Sequence, residues 1–320
     1  MAATPQKPGR AGLKSRLLAG IAALAVVGGA VFWFVTAPTP VSAERLSAIA
    51  ALAGDAEAGR LVFFAGGCTS CHAVPKSEGD ARLMLSGGLE LKSDFGTFVA
   101  PNISSDPETG IGGWDVATFA NAMLAGVTPD GSHYFPSFPY GSYARMSDKD
   151  IADLFAFMKT LPASSEASKP HDLGFPFSIR RLVGGWKFLY LNDAPRVELA
   201  SADPVLARGQ YLVEGPGHCG ECHTPRDPIG GFRAGAWLSG AKNPEGEGVI
   251  PNITPGGKNL GSWSALDIAS YLETGFTPEF DSVGGSMVEV QKNMAELPAA
   301  DREAIAAYLK AIPGHANGFE

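Results

Sequence analysis

The chain repeats itself, and the repeat limits what it can fold into. A first stretch reads Gly59-Arg60-Leu61-Val62-Phe63, then Cys68-Thr69-Ser70-Cys71-His72, Pro101-Asn102-Ile103, Trp114, and a segment ending at Leu161-Pro162. A second reads Gly209-Gln210-Tyr211-Leu212-Val213, Cys219-Gly220-Glu221-Cys222-His223, Pro251-Asn252-Ile253, Trp263, and a segment ending at Ile312-Pro313. The step from histidine to proline differs by one residue between the copies. Landmarks that keep both order and spacing mark a duplicated structural unit rather than chance. The expected division is a tip, apolar run and spacer over 1–45, a first repeat over 46–162, a linker over 163–199 and a second repeat over 200–320.

Each repeat predicts three helices: one before the cysteine pair, one after the tryptophan, and one closing the unit. Asp150 to Thr160 and Asp301 to Ala311 place apolar residues at i, i+3 and i+4, so each closing helix buries one face. Ser147-Asp148 supplies an N-cap for the first of them. Phe63 and Tyr211 are expected to pack their helices on the closing ones, against Phe157 and Tyr308. No segment alternates as a strand, and the intervening stretches draw on 40 glycines and 24 prolines, so they read as loops. The expectation is an all-α chain: two tandem helical domains behind an N-terminal membrane helix.

That helix is the uncharged run from Leu17 to Thr36, about the length that spans a bilayer. Lys7, Arg10, Lys14 and Arg16 precede it, and Trp33 and Phe34 sit near its far end, where aromatic rings favour the interface. Positive charge on the near side keeps the N-terminus cytoplasmic and sends the repeats across a bacterial inner membrane into the periplasm. The rival is a cleaved leader with Val41-Ser42-Ala43 as its small-residue site. It fits less well, because the apolar core exceeds the ~7–15 residues of a leader. The net charge is −8 although those four cations come before any acid, so the exported part is more acidic than that figure. An acidic body argues against nucleic acid as a partner and suits salt-dependent docking to a basic protein surface.

The linker opens with a polar stretch and then turns aromatic, with Phe175-Pro176-Phe177-Ser178-Ile179-Arg180-Arg181 and Trp186-Lys187-Phe188-Leu189-Tyr190. Such density predicts an element wedged between the repeats, with contact to a membrane surface or a partner as the alternatives.

All 4 cysteines fall in the two C-x-x-C-H units, which leaves none for a structural disulfide. This pentapeptide is the attachment signature of c-type haem: the cysteines form thioethers to the two vinyl groups and the adjacent histidine reaches the iron. A zinc site would need four ligands from one neighbourhood, and a dithiol redox pair would need a βαβ context that is not visible. The expected cofactors are two covalently bound haem c groups, held by Cys68 and Cys71 and by Cys219 and Cys222, with His72 and His223 on the irons. Each histidine should have its other ring nitrogen hydrogen-bonded, since such a bond fixes the tautomer and strengthens the donor.

On these motifs the chain resembles the class I cytochrome c family. In that family a proline carbonyl after the C-x-x-C-H unit accepts the histidine bond, which implies Pro101 and Pro251 here. A methionine sulfur ahead of the closing helix completes the iron, raising its potential and leaving no open position. In the second repeat Met287, within Gly284-Gly285-Ser286-Met287-Val288-Glu289-Val290, matches the ligand loop, with Met294 the alternative. The paired units, the His133-Tyr134-Phe135-Pro136 to Pro139-Tyr140 segment and the linker also resemble the cytochrome subunits of membrane-bound alcohol and aldehyde dehydrogenases, many of which have three haem domains. Those often carry a methionine where this chain has Phe138, so Met146 becomes the expected first-repeat ligand, with His133 as a substitute and Met123 as core filler. Trp114 and Trp263 are candidates for hydrogen bonds to haem propionates or for plain core packing, and Arg226 for a propionate partner or a solvated loop.

The resemblance implies an electron carrier. It would take electrons from a periplasmic dehydrogenase or other redox protein and pass them to a terminal oxidase or quinone-linked complex. A dihaem enzyme of the peroxidase or thiosulfate-oxidising type is the alternative, and Phe138 is the residue that keeps it open.

Overall fold

The computed structural model describes residues 11–233, 235–243, 246 and 248–319. Lys7 and Arg10 of the basic flank lie outside the described residues, while Lys14 and Arg16 lie on helix α1 (Ala11–Val35). Among the described residues α1 is the one helix long and apolar enough to cross a membrane, with a mean hydropathy of 2.3 over its Lys14–Val35 stretch.

The first repeat contributes α2 (Ala43–Ala50), α3 (Ala56–Ala65), α4 (Cys68–His72), α5 (Val116–Ala125), α6 (Tyr140–Tyr143) and α7 (Asp148–Met158). The linker forms α8 (Leu182–Tyr190). The second repeat contributes α9 (Pro204–Glu214), α10 (Gly220–His223), α11 (Ala265–Thr274), α12 (Met287–Met294) and α13 (Ala299–Ala311). Side-chain caps set where the main helices start, each satisfying orphan N–H groups of a first turn. Asp55 caps α3, Asp115 caps α5, Ser147 caps α7 as its sequence suggests, and Asp203 caps α9 with Pro204 in the first turn. Ser264 and Asp267 form a reciprocal capping box on α11.

The body is mostly helical, but the all-α expectation missed short strands. β1 (Glu90–Ser93), β2 (Gly96–Val99) and β3 (Asp172–Leu173) form an antiparallel sheet in that order, and β4 (Ala241–Lys242) pairs with β5 (Val249–Ile250). Strands of 4 and 2 residues are too short to show alternation in a sequence.

In each repeat the helix before the cysteines crosses the closing helix at a glycine. A Cβ on Gly59 would lie 1.9 Å from the Asp153 carbonyl oxygen, and one on Gly209 would lie 2.0 Å from that of Ala304. Phe63 meets Phe157 with ring centroids 5.1 Å apart, as anticipated. Tyr211 packs on the core, and its hydroxyl also reaches out of its own repeat. Its hydroxyl donates to the Asp150 carboxylate and accepts from the Ser147 N–H at 3.2 Å, both in the first repeat. A buried phenol needs a polar partner, and Tyr308 already spends its own on Glu214, at 2.6 Å.

The linker touches both repeats. β3 extends the first repeat's sheet, Trp186 meets the Tyr140 ring edge-on, and Tyr190 donates to Asp227 at 2.6 Å. Lys187 is buried at 8 % exposure and donates to the carbonyls of Ala125 and Gly126, both at 2.7 Å. These are last-turn acceptors of α5, where a cation also complements the helix dipole. Burial pulls the Lys187 pKa down to about 7. Lys187→Met would remove the ammonium from the Ala125 carbonyl, at ~1–3 kcal/mol, while the Gly126 carbonyl keeps the Tyr134 N–H at 2.8 Å. Chemical denaturation should show a lower midpoint for this variant, whereas Lys92→Met on exposed β1 should leave it unchanged.

Candidate functional site

Each C-x-x-C-H unit is a single helical turn, and what surrounds it is repeated. His72 donates from Nδ1 to the Pro101 carbonyl at 2.8 Å, and His223 does the same to Pro251 at 2.8 Å. A carbonyl can only accept, so the proton is on Nδ1 and Nε2 keeps its lone pair. Burial lowers the pKa of both rings despite those bonds, which favours the neutral imidazole that ligates a metal.

Both acceptor prolines are held rigidly. The Asn102 side chain accepts from Ser104 N–H and donates to the Ser164 and Glu166 carbonyls, at 2.9, 2.7 and 2.8 Å. Asn252 accepts from Thr254 N–H at 2.9 Å and donates to His315 O at 2.8 Å. Each Pro-Asn-Ile thus ties to the chain just after its closing helix. The loop between also returns to the histidine: Gly87 N–H donates to His72 O and Gly240 N–H to His223 O, at 2.8 and 2.7 Å. Both glycines have positive φ, and a Cβ at either would strike the adjacent backbone.

None of the four cysteines is in a disulfide. Cys68 and Cys219 pack against the core, and burial pushes each thiol up to about 12, with the neighbouring Cys71 or Cys222 adding to the shift. Trp114 and Trp263 stand immediately ahead of the N-caps of α5 and α11. Both pack on the core, with Trp263 against the Tyr271 ring at 5.4 Å.

Met146 is 2 % exposed and directly precedes α7, and Met123 is buried within α5. Met287 opens α12 half-buried, whereas Met294 closes it at 4 % exposure and stands ahead of α13 much as Met146 stands ahead of α7. His133 sits elsewhere: its Nε2 bonds the Thr36 carbonyl at 3.0 Å, where α1 ends. Phe138 lies in an aromatic cluster with Tyr134, Tyr140 and Tyr143. Arg226 pairs with Glu221 in the second C-x-x-C-H unit and caps the Gly230 carbonyl.

Sequence reasoning missed the contacts between repeats, which are reciprocal. The pre-α13 segment of the second repeat docks on the first cysteine turn. There Thr69 donates to Asn293 Oδ1 at 2.8 Å, Asn293 donates to Ser70 Oγ at 3.0 Å, and Arg82 reaches Thr69 at 2.9 Å. The pre-α7 segment of the first repeat docks on the second cysteine turn. There Ser142 donates to Glu221 at 2.9 Å and the Tyr143 ring meets His218 edge-on. Arg145, next to Met146, lies 4.0 Å from Glu214 in a pair with side chains 6 % and 2 % exposed. Each candidate methionine segment is therefore fixed against the other repeat's haem turn. Asn293, Glu221 and Arg145 carry no motif that could have revealed this.

The donor set fits haem. Each site presents one neutral imidazole and two thiols at the attachment spacing, and haem brings its own four equatorial nitrogens. Among the described residues no three or more His, Cys, Asp or Glu side chains gather into a metal cage.

Comparison with known proteins agrees. The cytochrome c family model matches residues 56–162. A "Diheme cytochrome c-type" of Cereibacter sphaeroides is 52% identical over 301 residues, 94% of this chain and 99% of that protein. The fructose dehydrogenase cytochrome subunit of Gluconobacter japonicus is 34% identical over 285 residues, 88% of this chain but 56% of that subunit. The alcohol dehydrogenase (quinone) cytochrome c subunit of Gluconobacter oxydans is 35% identical over 260 residues, 78% of this chain and 53% of that protein. The chain thus spans about half the length of those two dehydrogenase subunits. The duplicated histidine–proline pairs and a match along nearly the whole of a dihaem relative lead to one assignment: the chain belongs to the cytochrome c family and carries covalently bound haem c.

Proposed function

We propose that the chain is a dihaem electron carrier anchored in the bacterial inner membrane by α1, with one haem domain over 46–162, a second over 200–320 and both in the periplasm. It takes electrons from a periplasmic dehydrogenase and delivers them to a terminal oxidase or quinone-linked complex. The observation that carries this reading is the exact doubling of the site in kind: a C-x-x-C-H turn, a proline-bonded histidine and a buried methionine ahead of a closing helix occur in both repeats. The dehydrogenase cytochrome subunits among its relatives support the donor class.

Bound haem supplies the one-electron couple. The chain's residues do the rest. His72 and His223 offer Nε2 with the ring angle fixed by Pro101 and Pro251, and a closed methionine position keeps dioxygen and peroxide from the metal. The reciprocal docking of each segment on the other repeat's cysteine turn supports passage of an electron that enters at one repeat and leaves from the other.

Intact-mass analysis after expression in a host that matures c-type cytochromes should show two haem additions. Cys219→Ala should weaken covalent capture in the second repeat only, and a single addition in the unaltered protein would remove the dihaem reading. The protein should also resist carbonate extraction from membranes; its recovery from the soluble periplasm would show that α1 is not retained.

A further inference from the structure

Among the described residues, the linker leaves a run of apolar side chains largely uncovered, with Phe177 partly sheltered by the Phe95 ring. Phe175 is 84 % exposed, Phe177 44 %, Ile179 42 % and Leu182 39 %, in a stretch from Gly174 to Leu191 that contains no acid. Isolated exposed apolar residues are ordinary, but a contiguous group of this kind marks a contact surface.

Its position identifies the contact. Arg181, inside this stretch, donates from Nε to Thr36 Oγ1 at 2.9 Å and from Nη2 to the Trp33 carbonyl, and its guanidinium lies 4.0 Å from the centre of the Trp33 ring. Gly184 lies so close to Thr36 that a Cβ there would fall 2.3 Å from the Thr36 carbonyl oxygen. His133 holds the same carbonyl from the other side, and Arg180 fastens to the His133 carbonyl at 2.9 Å. The end of α1 is thus clamped to the linker by four contacts, three from Arg181 and one at Gly184, and His133 of the first repeat braces it. If α1 crosses the bilayer, Thr36 marks its exit, and the residues clamped there are held at the headgroup level, where Trp33 also belongs.

We propose that Phe175, Phe177, Ile179 and Leu182 insert into the lipid boundary beside α1, making the linker a second membrane contact that fixes the orientation of the haem-bearing body. The proposal rests on the reading of α1 as a membrane anchor. The occupant is lipid rather than a protein partner, because Arg181 and Gly184 tie this short stretch of chain to the point where α1 leaves the bilayer. The attraction is apolar burial and not headgroup charge: Arg180 and Arg181 are both already committed to carbonyls and aromatic rings. Raising the salt should therefore leave the contact in place.

The test uses the full-length holoprotein, one copy per lipid nanodisc, carrying one new cysteine at a time. The native cysteines are closed as thioethers, so a charged, membrane-impermeant maleimide reads only the introduced thiol. The sites are Val26→Cys in the middle of α1, Phe175→Cys on the linker and Glu303→Cys at an exposed position of α13. Val26 and Phe175 should both react at least about tenfold more slowly than Glu303. A protected Val26 with a Phe175 as reactive as Glu303 would overturn the linker contact and leave the anchor standing. A freely reactive Val26 would remove the anchor, and the proposal with it.

Discussion

Met146→Ala should open the first haem to carbon monoxide and lower its potential by a sizeable part of the ~0.8 V range that axial ligands govern. Met146 is 2 % exposed, directly precedes α7 and is held in place by Arg145 against Glu214. Losing a buried methionine also costs about 2–5 kcal/mol from the cavity alone, so a drop in stability would not by itself identify a ligand. Met123→Ala separates the two effects. That side chain is buried at 7 % within α5, so its removal should destabilise comparably while leaving the spectrum, the potential and the closed iron unchanged. Carbon monoxide binding in the Met123 variant, or none in the Met146 variant, would move the sixth ligand away from Met146. In the second repeat α12 offers two sulfurs. Met287 matches the expected loop, whereas Met294 has the burial and the place ahead of the closing helix that Met146 has. Single replacement of each decides between them by the same readout, and the variant that admits carbon monoxide names the ligand.

The parts of this site that were legible are those written locally. The cysteine turns, their histidines and the Pro101 and Pro251 acceptors follow from short motifs repeated at near-equal spacing, and the geometry around both histidines agrees. The closing helices follow from apolar periodicity, and the start of α7 from its N-cap Ser147. What stayed hidden is non-local. The docking of Asn293 on Thr69 and Ser70 joins residues more than two hundred positions apart, and a single amide leaves no periodic trace. Trp237 is hidden in the same way: it packs so tightly on the second cysteine turn that a Cβ on Gly220 would fall 2.2 Å from its ring, which explains a glycine where the first repeat has Thr69. Tyr211 packs on the core as its place on α9 suggests, but nothing local announces that its hydroxyl, needing a polar partner, crosses to Asp150. The linker's aromatic content was visible, but its clamp on Thr36 and Trp33 is a tertiary fact that composition does not encode.

Gly59→Ala and Gly209→Ala should each destabilise the protein, against the usual sign of such a change. In an unencumbered helix, glycine to alanine stabilises by ~0.5–1 kcal/mol, because alanine loses less backbone freedom on folding. Here the new methyl group has no room. It would lie 1.9 Å from the Asp153 carbonyl oxygen and 2.9 Å from Phe157 Cβ in one case, and 2.0 Å from the Ala304 carbonyl oxygen and 2.8 Å from Tyr308 Cβ in the other. The obstacles are main-chain atoms of α7 and α13, which cannot rotate aside as a flexible side chain would. The helices must separate, and overpacking of this kind costs ~1–3 kcal/mol or more. The separation also acts on the haem turns, since α3 leads into Cys68 and α9 into Cys219 within a few residues. Gly59→Ala should therefore lower covalent haem content mainly in the first repeat and Gly209→Ala mainly in the second. Gly185→Ala is the control: it is a helical glycine on α8 with nothing within 4 Å of its built Cβ, and its replacement should be neutral or mildly stabilising. Denaturant unfolding read at the haem absorbance and by circular dichroism gives all three midpoints. If Gly59→Ala matched Gly185→Ala, the two helices would not cross in backbone contact, and the explanation for a glycine at this place in both repeats would fail.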